Sequence, residues 1–296
     1  YMFSPKTCAE DLEIAPGERR SVELFALFNE SVLNIVEPTK VPTDVEVSFR
    51  VDEQSGTIKK TETLRMYDRN AITWNDDRKA AAFVSAKDPF VLTIAKNVTG
   101  VVTQNASPAL NRNMCIAMGV HAALPHLGLS YVSDPQTPYE EYSQSTDVVD
   151  YMQFPRQTLE YGAGDCDDLT VLYCSLLESV GIETAFITVP GHIFAAFSTG
   201  LSPPAAERQF PATQDLIIRD DIAWIPVEVT MIGAGFLRAW ARGARQWREH
   251  DPNDAAQFYP VHEAWTQYPP VAISGGIEGG GDRKSTRLNS SHTHLS

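Results

Sequence analysis

The chain has 296 residues, a length typical of about two globular domains of ~100–200 residues each. Hydrophobic residues make up 43% and charged residues 21% of the chain, which excludes a wholly disordered or fibrous protein. The formal net charge of −14 disfavours nucleic acid as the main partner, because an acidic surface does not replace the counterions of a phosphate backbone. The four cysteines form no CxxC pair, so neither a disulfide framework nor a zinc ribbon is expected.

No signal peptide is predicted at the first residues, because the chain opens Tyr1-Met2-Phe3 without a basic segment and an apolar one after it. A first residue other than Met leads us to expect a piece of a longer polypeptide. The compartment therefore stays open, the periplasm and other extracytoplasmic spaces included. The longest uncharged stretch, residues 184–206, is interrupted by proline and glycine, so no membrane span is expected.

Residues 13 to about 105 are predicted to be mostly strands. Residues 21–28 and 45–51 alternate with a period of two, and turn residues such as Ser55-Gly56 separate the strands. Short strands at this spacing predict a small β-sandwich-like domain over residues 1–108, as a scaffold or a partner-binding module. A short helix is expected within it over residues 76–83.

Helical spacing of apolar residues predicts a helix over residues 109–127, in which Cys115 and His121 are expected to serve packing. We expect a second domain over residues 109–272. Its last predicted helix is 236–250, followed by aromatic residues that are expected to pack, or alternatively to border a substrate groove. Residues 273–296 are predicted to be a disordered tail that resembles translated vector sequence.

A glycine-rich approach precedes a helix that carries the most informative cysteine. Gly164-Asp165 stands directly before Cys166, and Asp165 is placed to cap the helix that follows. Apolar residues recur on one face of this helix until Gly181, and Cys166 lies in the first turn at the edge of that face. Free backbone N–H groups at a helix start stabilise an anion, so with a cationic histidine nearby we expect a lowered pKa for the Cys166 thiol.

Two predicted strand pairs follow this helix and supply a base and a carboxylate. Residues 182–197 predict a hairpin in which His192 begins the second strand. Residues 216–230 predict another hairpin, and Glu228 lies on one face of its second strand. If the two faces coincide, Glu228 holds the His192 imidazole while the other ring nitrogen faces Cys166. That arrangement is a nucleophile, a base and an orienting carboxylate.

These motifs resemble those of the transglutaminase-like superfamily over roughly residues 109–235. The resemblance implies an α+β fold with a papain-like core, in which the helix with the cysteine packs on an antiparallel sheet. It implies Cys166 as nucleophile, His192 as general base and Glu228 as third member, a position where Asp is commoner in the family. It further implies acyl transfer on amides through a thioester. The motifs that carry it are Gly164-Asp165-Cys166-Asp167-Asp168, Gly191-His192 and the strand Trp224-Ile225-Pro226-Val227-Glu228-Val229-Thr230.

Hydrolysis of a peptide or protein amide is the expected reaction, because nothing in the sequence identifies a lysine-donor site. No metal and no organic cofactor is expected. One alternative is a non-catalytic module of the same fold, which binds peptides or serves assembly within a larger protein. Another is a β-rich adhesion segment with an incidental cysteine.

Several polar residues near the cysteine are assigned supporting roles. Asp165, Asp167 and Asp168 are expected to cap the helix, with a hard-cation site as the alternative. For the oxyanion of a tetrahedral intermediate, the backbone N–H of Cys166 is one expected donor, and Gln157 and Gln153 are candidates for a second.

Overall fold

The computed structural model describes residues 12–21, 28, 30–133, 148–271 and 273. The predicted tail, residues 273–296, and the predicted strand over residues 21–28 lie almost entirely outside the described residues. The strands are β1 Thr39–Val51, β2 Gln54–Met66, β3 Ala71–Ile72, β4 Ser130–Tyr131, β5 Asp150–Tyr151, β6 Ala163–Gly164, β7 Thr184–Val189, β8 His192–Ser198, β9 Ile217–Arg219, β10 Ile222–Val227 and β11 Gln257–Pro260. The α-helices are α1 Pro89–Asn105, α2 Arg112–Ala123, α3 Pro155–Tyr161, α4 Cys166–Glu178, α5 Pro203–Gln209, α6 Phe236–His250 and α7 Val261–Ala264. Short 3-10 helices cover Glu30–Asn34, Asp77–Phe83, Leu124–Leu127, Thr213–Asp215 and Asp251–Asn253.

An antiparallel sheet in the order β11-β7-β8-β10-β9 forms the centre of the molecule. Both of its predicted hairpins are confirmed, and each has a two-residue turn. Pro190-Gly191 joins β7 to β8, with Gly191 at a φ of 71°. Asp220 and Asp221 join β9 to β10, both with positive φ, which is the conformation of a type I′ turn. These turns set the register that places His192 at the end of the sheet.

Helices cover both faces of this sheet. The helix α4 packs on one face, where Leu169, Leu172 and Phe186 are fully buried in the main core. The helix α6 covers the other face, and its Trp247 contacts a smaller core around Trp224. Because both faces are covered, the central strands are apolar at nearly every position rather than at alternate ones. The fold is therefore α+β, as predicted.

The β-sandwich is wrong for the residues before 109 that the structure describes. There, β1 and β2 form one long two-stranded hairpin instead of two packed sheets. Its apolar side chains do lie on one face, but Val47, Phe49 and Ile58 remain exposed. A period of two reports only that one face of a strand is apolar, and a single ribbon satisfies it as well as a sandwich does.

The prediction of mostly strands between residues 13 and 105 is wrong for Pro89–Asn105, which form helix α1. Asp88 caps it by accepting hydrogen bonds from two backbone N–H groups of its first turn, and Pro89 occupies its first position. Val91 and Ala95 of α1 are fully buried in the main core. The 3-10 helix Asp77–Phe83 confirms the short helix that the sequence predicted. The division of the chain at residue 108 remains a prediction.

Among the described residues, no helix is both long enough and apolar enough to cross a membrane.

Candidate active site

The helix α4 begins at Cys166, and the residues around its start are held by reciprocal hydrogen bonds. Asp165 is the N-cap, and its carboxylate accepts from the backbone N–H of Asp168 at 3.4 Å. The Asp168 carboxylate accepts in turn from the Asp165 N–H at 3.4 Å. Gly164 permits this packing, because a Cβ at that position would lie 2.7 Å from the Cβ of Asp168. The predicted cap is therefore present, with the cysteine in the first turn.

The sulfur of Cys166 is almost completely buried, since the residue is 6% exposed. Burial raises the pKa of the Cys166 thiol well above its ordinary value, and the negative charges of Asp167 and Asp165 raise it further. A hydrogen bond from the backbone N–H of Ile193 acts in the opposite direction and is the weaker effect. The lowered thiol pKa that the sequence predicted is therefore wrong for this arrangement, in which desolvation is the main cause of the shift.

His192 and Glu228 form a direct hydrogen bond, with 2.5 Å between Nε2 of the ring and Oε2 of the carboxylate. Their strands pair with Ala196 opposite Pro226, so the two side chains share a face and the condition that the sequence analysis left open is met. Thr230 donates to the other carboxylate oxygen of Glu228 through its hydroxyl, at 2.6 Å, and through its N–H. Burial opposes ionisation, but the hydrogen bonds from His192 and Thr230 hold the pKa of Glu228 below its ordinary value.

The structure brings this pair to the end of α4 that carries the cysteine. The Ile193 N–H, one residue after His192, faces the sulfur of Cys166. One helical turn further on, the Thr170 hydroxyl donates to the carbonyl oxygen of Ile193 at 3.5 Å. The negative charge of Glu228 also acts on the Cys166 thiol. Cys166 and the His192–Glu228 pair thus form one cluster, in which Nδ1 is the ring nitrogen not engaged by Glu228. A contact between this nitrogen and the sulfur stays a prediction, as do the catalytic roles.

The two glutamines predicted as oxyanion donors have different surroundings. Gln157 is buried and exchanges side-chain hydrogen bonds with Asn70, at 2.7 and 3.3 Å, while its oxygen also accepts from the Phe154 N–H at 2.8 Å. These bonds give Gln157 a structural role. Gln153 donates its backbone N–H to the Asp168 carboxylate at 2.7 Å, next to the start of α4. Its side-chain oxygen is buried and lacks a hydrogen-bond partner in the described part of the chain. Gln153 is the better placed of the two candidates.

The three aspartates at the helix start are all buried, and their carboxylate oxygens lie within 4.8 Å of one another. Burial is the main cause that raises the pKa of Asp167 and of Asp168 well above the ordinary value, and the charge of Asp165 is the next. The hydrogen bonds of Asp165 and Asp168 are those of a helix cap. Three carboxylates are also fewer than the six or more oxygen ligands that Ca²⁺ requires. Capping accounts for this cluster better than the hard-cation alternative does.

Tyr131 is a neighbour of the site that the sequence did not indicate. Its strand β4 pairs in parallel with β6, which sets Tyr131 opposite Gly164 on the approach to Cys166. Burial raises the pKa of the Tyr131 hydroxyl, and the charges of Cys166, Asp165 and Glu228 raise it further, so the hydroxyl lies within electrostatic reach of all three. A two-residue strand whose partner lies more than thirty residues away leaves no local sequence pattern.

The histidine of helix α2 behaves as the sequence predicted. His121 is buried, and its ring makes edge contacts with the rings of Tyr173 and Phe236. Burial lowers the pKa of His121, which is the behaviour of a neutral packing residue.

No family model matches the chain, and comparisons with curated proteins and with solved structures give no match either. The transglutaminase-like resemblance therefore depends only on the motifs quoted above.

Proposed function

We propose that the protein is a cysteine-dependent enzyme of acyl transfer on amides, with a papain-like, transglutaminase-like core, and that hydrolysis is its main reaction. The observation that carries the proposal is the 2.5 Å hydrogen bond between His192 and Glu228, made beside the strand residue whose N–H faces the sulfur of Cys166. A buried carboxylate that holds one ring nitrogen fixes the tautomer and orientation of the imidazole, and so leaves the other nitrogen for the nucleophile.

The resting thiol is neutral in this mechanism, because burial opposes the thiolate. As the sulfur attacks the amide carbonyl carbon, Nδ1 of His192 takes the thiol proton, and Glu228 stabilises the imidazolium. The tetrahedral intermediate carries its negative charge on the former carbonyl oxygen. The backbone N–H of Cys166 at the helix start is its first hydrogen-bond donor, and the Gln153 amide is the candidate for a second.

Collapse of the intermediate breaks the carbon–nitrogen bond, and His192 gives its proton to the leaving amine. The acyl group remains on Cys166 as a thioester. Water then attacks the thioester carbon while His192 takes one of its protons, and the thiolate leaves and is reprotonated by the same ring. The products are a carboxylic acid, an amine and the regenerated thiol.

The test is to incubate the protein with a library of peptide amides and to measure amine release together with the mass of the intact protein. We expect turnover and a covalent acyl adduct in the wild type. Cys166→Ala is expected to lose the adduct and at least about 10³-fold in kcat/KM. Cys115→Ala is the matched control, since Cys115 is another free cysteine, half-buried on α2, and is expected to leave both signals unchanged. Equal turnover by wild type and Cys166→Ala would refute the proposal.

A non-catalytic peptide-binding module is the second candidate, and the burial of Cys166 with its raised thiol pKa favours it. For such a module we expect peptide binding of equal strength in the wild type and in Cys166→Ala, with neither amine release nor an adduct in the wild type. The same experiment therefore separates the two candidates.

A further inference from the structure

A cavity of about 530 Å³ lies at the β11 edge of the central sheet, outside the cluster described above. One wall comes from the start of the 3-10 helix Asp77–Phe83 and the residues before it. The opposite wall comes from β11 and α7 and includes Tyr259 and the exposed residue Glu263. Phe258 also lines the cavity, but its ring packs against Trp224 and Trp247 on the other face of the sheet. The sequence left open whether the aromatic residues after α6 border a substrate groove, and Tyr259 is one of those residues.

Strand register relates this cavity to the nucleophile. The Asp77 carboxylate in the cavity wall accepts a hydrogen bond from the Thr188 hydroxyl at 2.7 Å. Thr188 is the register partner of Ile193 on the neighbouring strand, and neighbouring strands lie about 5 Å apart. The Ile193 N–H in turn faces the sulfur of Cys166. The Thr188 side chain and one strand spacing therefore lie between the Asp77 carboxylate and Ile193, the residue whose N–H faces the sulfur.

The carboxylates of this cavity are not equivalent. Asp76 is bound by the Arg78 guanidinium and by the Tyr268 hydroxyl, and the hydrogen bond from Arg78 is the main cause that lowers the pKa of Asp76 to about 2. Asp77 is partly buried, and within the described ranges it has no ion pair with Lys, Arg or His. Glu263, an exposed lining residue, adds a second carboxylate that has no ion pair in the described part of the chain. The cavity thus combines two carboxylates that have no cationic partner among the described residues with one aromatic residue, Tyr259.

We propose that this cavity binds the alkylammonium or guanidinium group of a molecule that reacts at Cys166. This inference rests on the proposed function. Carboxylates supply charge-assisted hydrogen bonds to such a group, and aromatic faces attract it through their quadrupole. The cation comes either from a lysine or arginine side chain beside the reacting amide or from an amine that accepts the acyl group. The cavity therefore selects for positive charge next to the amide.

The first experiment measures binding without turnover, in the Cys166→Ala background. Capped pentapeptides Gly-Gly-X-Gly-Gly, with X as lysine, arginine, norleucine or glutamate, are titrated calorimetrically. Norleucine keeps the lysine chain and lacks its ammonium group. We expect lysine or arginine to bind about tenfold more tightly than norleucine, and Asp77→Asn to reduce that ratio to within about twofold. Equal affinity for lysine and norleucine peptides in the parent protein overturns the proposal, whether or not the wild type shows any turnover.

Two further variants keep the test decisive if Asp77→Asn does not fold. Glu263→Gln changes an exposed lining residue and is expected to reduce the lysine preference about threefold. Glu249→Gln, an exposed carboxylate on α6 over the other face of the sheet, is the matched control and is expected to leave the preference unchanged. If Asp77→Asn unfolds, the Glu263 and Glu249 pair decides, and equal effects of these two variants overturn the proposal.

A second experiment identifies the source of the cation in the active wild type. Butylamine is added while the acyl adduct turns over, and the yield of butylamide is compared with that of acid. A cation from the substrate side chain predicts a lysine-over-norleucine preference in kcat/KM that Asp77→Asn removes. A cation from the acceptor predicts instead an approximately tenfold loss of butylamide yield in Asp77→Asn. Unchanged values in both measurements overturn the proposal.

Discussion

At the scale of single residues, the His192–Glu228 contact provides the sharpest test of the site. Replacing Glu228 by Gln keeps the shape of the side chain and removes the charge that stabilises an imidazolium. We expect Glu228→Gln to lower kcat/KM for amide release by about 10²- to 10⁴-fold, because the ring loses its oriented tautomer. The measurement is amine release at saturating and limiting peptide, after the unfolding temperature shows that the variant is folded.

Thr230→Val serves as the graded control for this prediction. It removes one hydrogen bond to the far oxygen of Glu228 and leaves the contact with His192 in place. We expect a loss of no more than about tenfold. An activity of Glu228→Gln within twofold of the wild type would show that Glu228 does not orient a catalytic base.

The residues of the site differ in how far local sequence could predict them. The pairing of β8 with β10, which puts His192 and Glu228 on one face, depends on tertiary structure, whereas the alternation of side chains within each strand follows from local sequence. The direction of the Cys166 pKa shift does not, because it depends on how completely tertiary packing removes water from the sulfur. The role of Gln157 was equally hidden, since its partner Asn70 lies 87 residues earlier in the chain.

At the scale of elements, the start of α4 depends on the absence of a side chain at Gly164. A Cβ there would lie 2.7 Å from the Cβ of Asp168 and 3.1 Å from a methyl group of Thr158. We therefore expect Gly164→Ala to lower the free energy of unfolding by about 1–3 kcal/mol, because such an overlap forces the backbone to shift. The same shift displaces the first turn of α4, so the rate of adduct formation at Cys166 falls as well.

Gly100→Ala is the control for this prediction. Gly100 lies inside α1, and a Cβ there would meet no atom within 4 Å. We expect this substitution to raise the free energy of unfolding by about 0.5–1 kcal/mol, since alanine is the better helix former. Both values come from denaturant unfolding, and a Gly164→Ala protein as stable as the wild type contradicts the steric explanation.

Helix α1 shows why one element was predicted with the wrong type. Its residues include many β-branched side chains, which favour strands in the absence of other information. Asp88-Pro89 is a helix-start signal, but it is only two residues long. What decides the outcome is the burial of Val91 and Ala95 in the main core, a contact that no local pattern reports.

At the scale of the whole molecule, negative charge is distributed unevenly between surface and interior. The formal charge of −14 counts every carboxyl group, and at the start of α4 it includes a group of carboxyls that are buried together. The two hairpins of the sheet could be inferred from turn residues and apolar runs, but the pairing of β8 with β10 and the edge strand β11 could not. The burial of Asp167 could not, because an aspartate beside a helix start is typical of an exposed cap as well as of a buried one.

The buried Asp167 makes stability depend on pH in a definite direction. Burial is the main cause that raises the pKa of Asp167, so the folded protein retains a proton that the unfolded chain releases above about pH 4. The contribution of Asp167 to the free energy of unfolding is then fully present at low pH. It decreases as the pH rises toward the pKa of Asp167 in the folded protein, with a slope of up to about 1.4 kcal/mol per pH unit. Asp167→Asn carries no titrating proton and has nearly the shape of the protonated acid. We expect it to match the wild type near pH 4.5 and to exceed its free energy of unfolding increasingly up to pH 8.

Denaturant unfolding at several pH values measures this difference, with Asp221→Asn as the control. Asp221 is an exposed turn residue, so its replacement also turns one aspartate into asparagine but leaves the buried site unchanged. A stability gain that is constant across pH, or equal in the two variants, would mean that the gain comes from net charge rather than from the buried carboxyl. A gain confined to Asp167→Asn and growing with pH ties it to the carboxyls packed against the start of α4, where Cys166 lies.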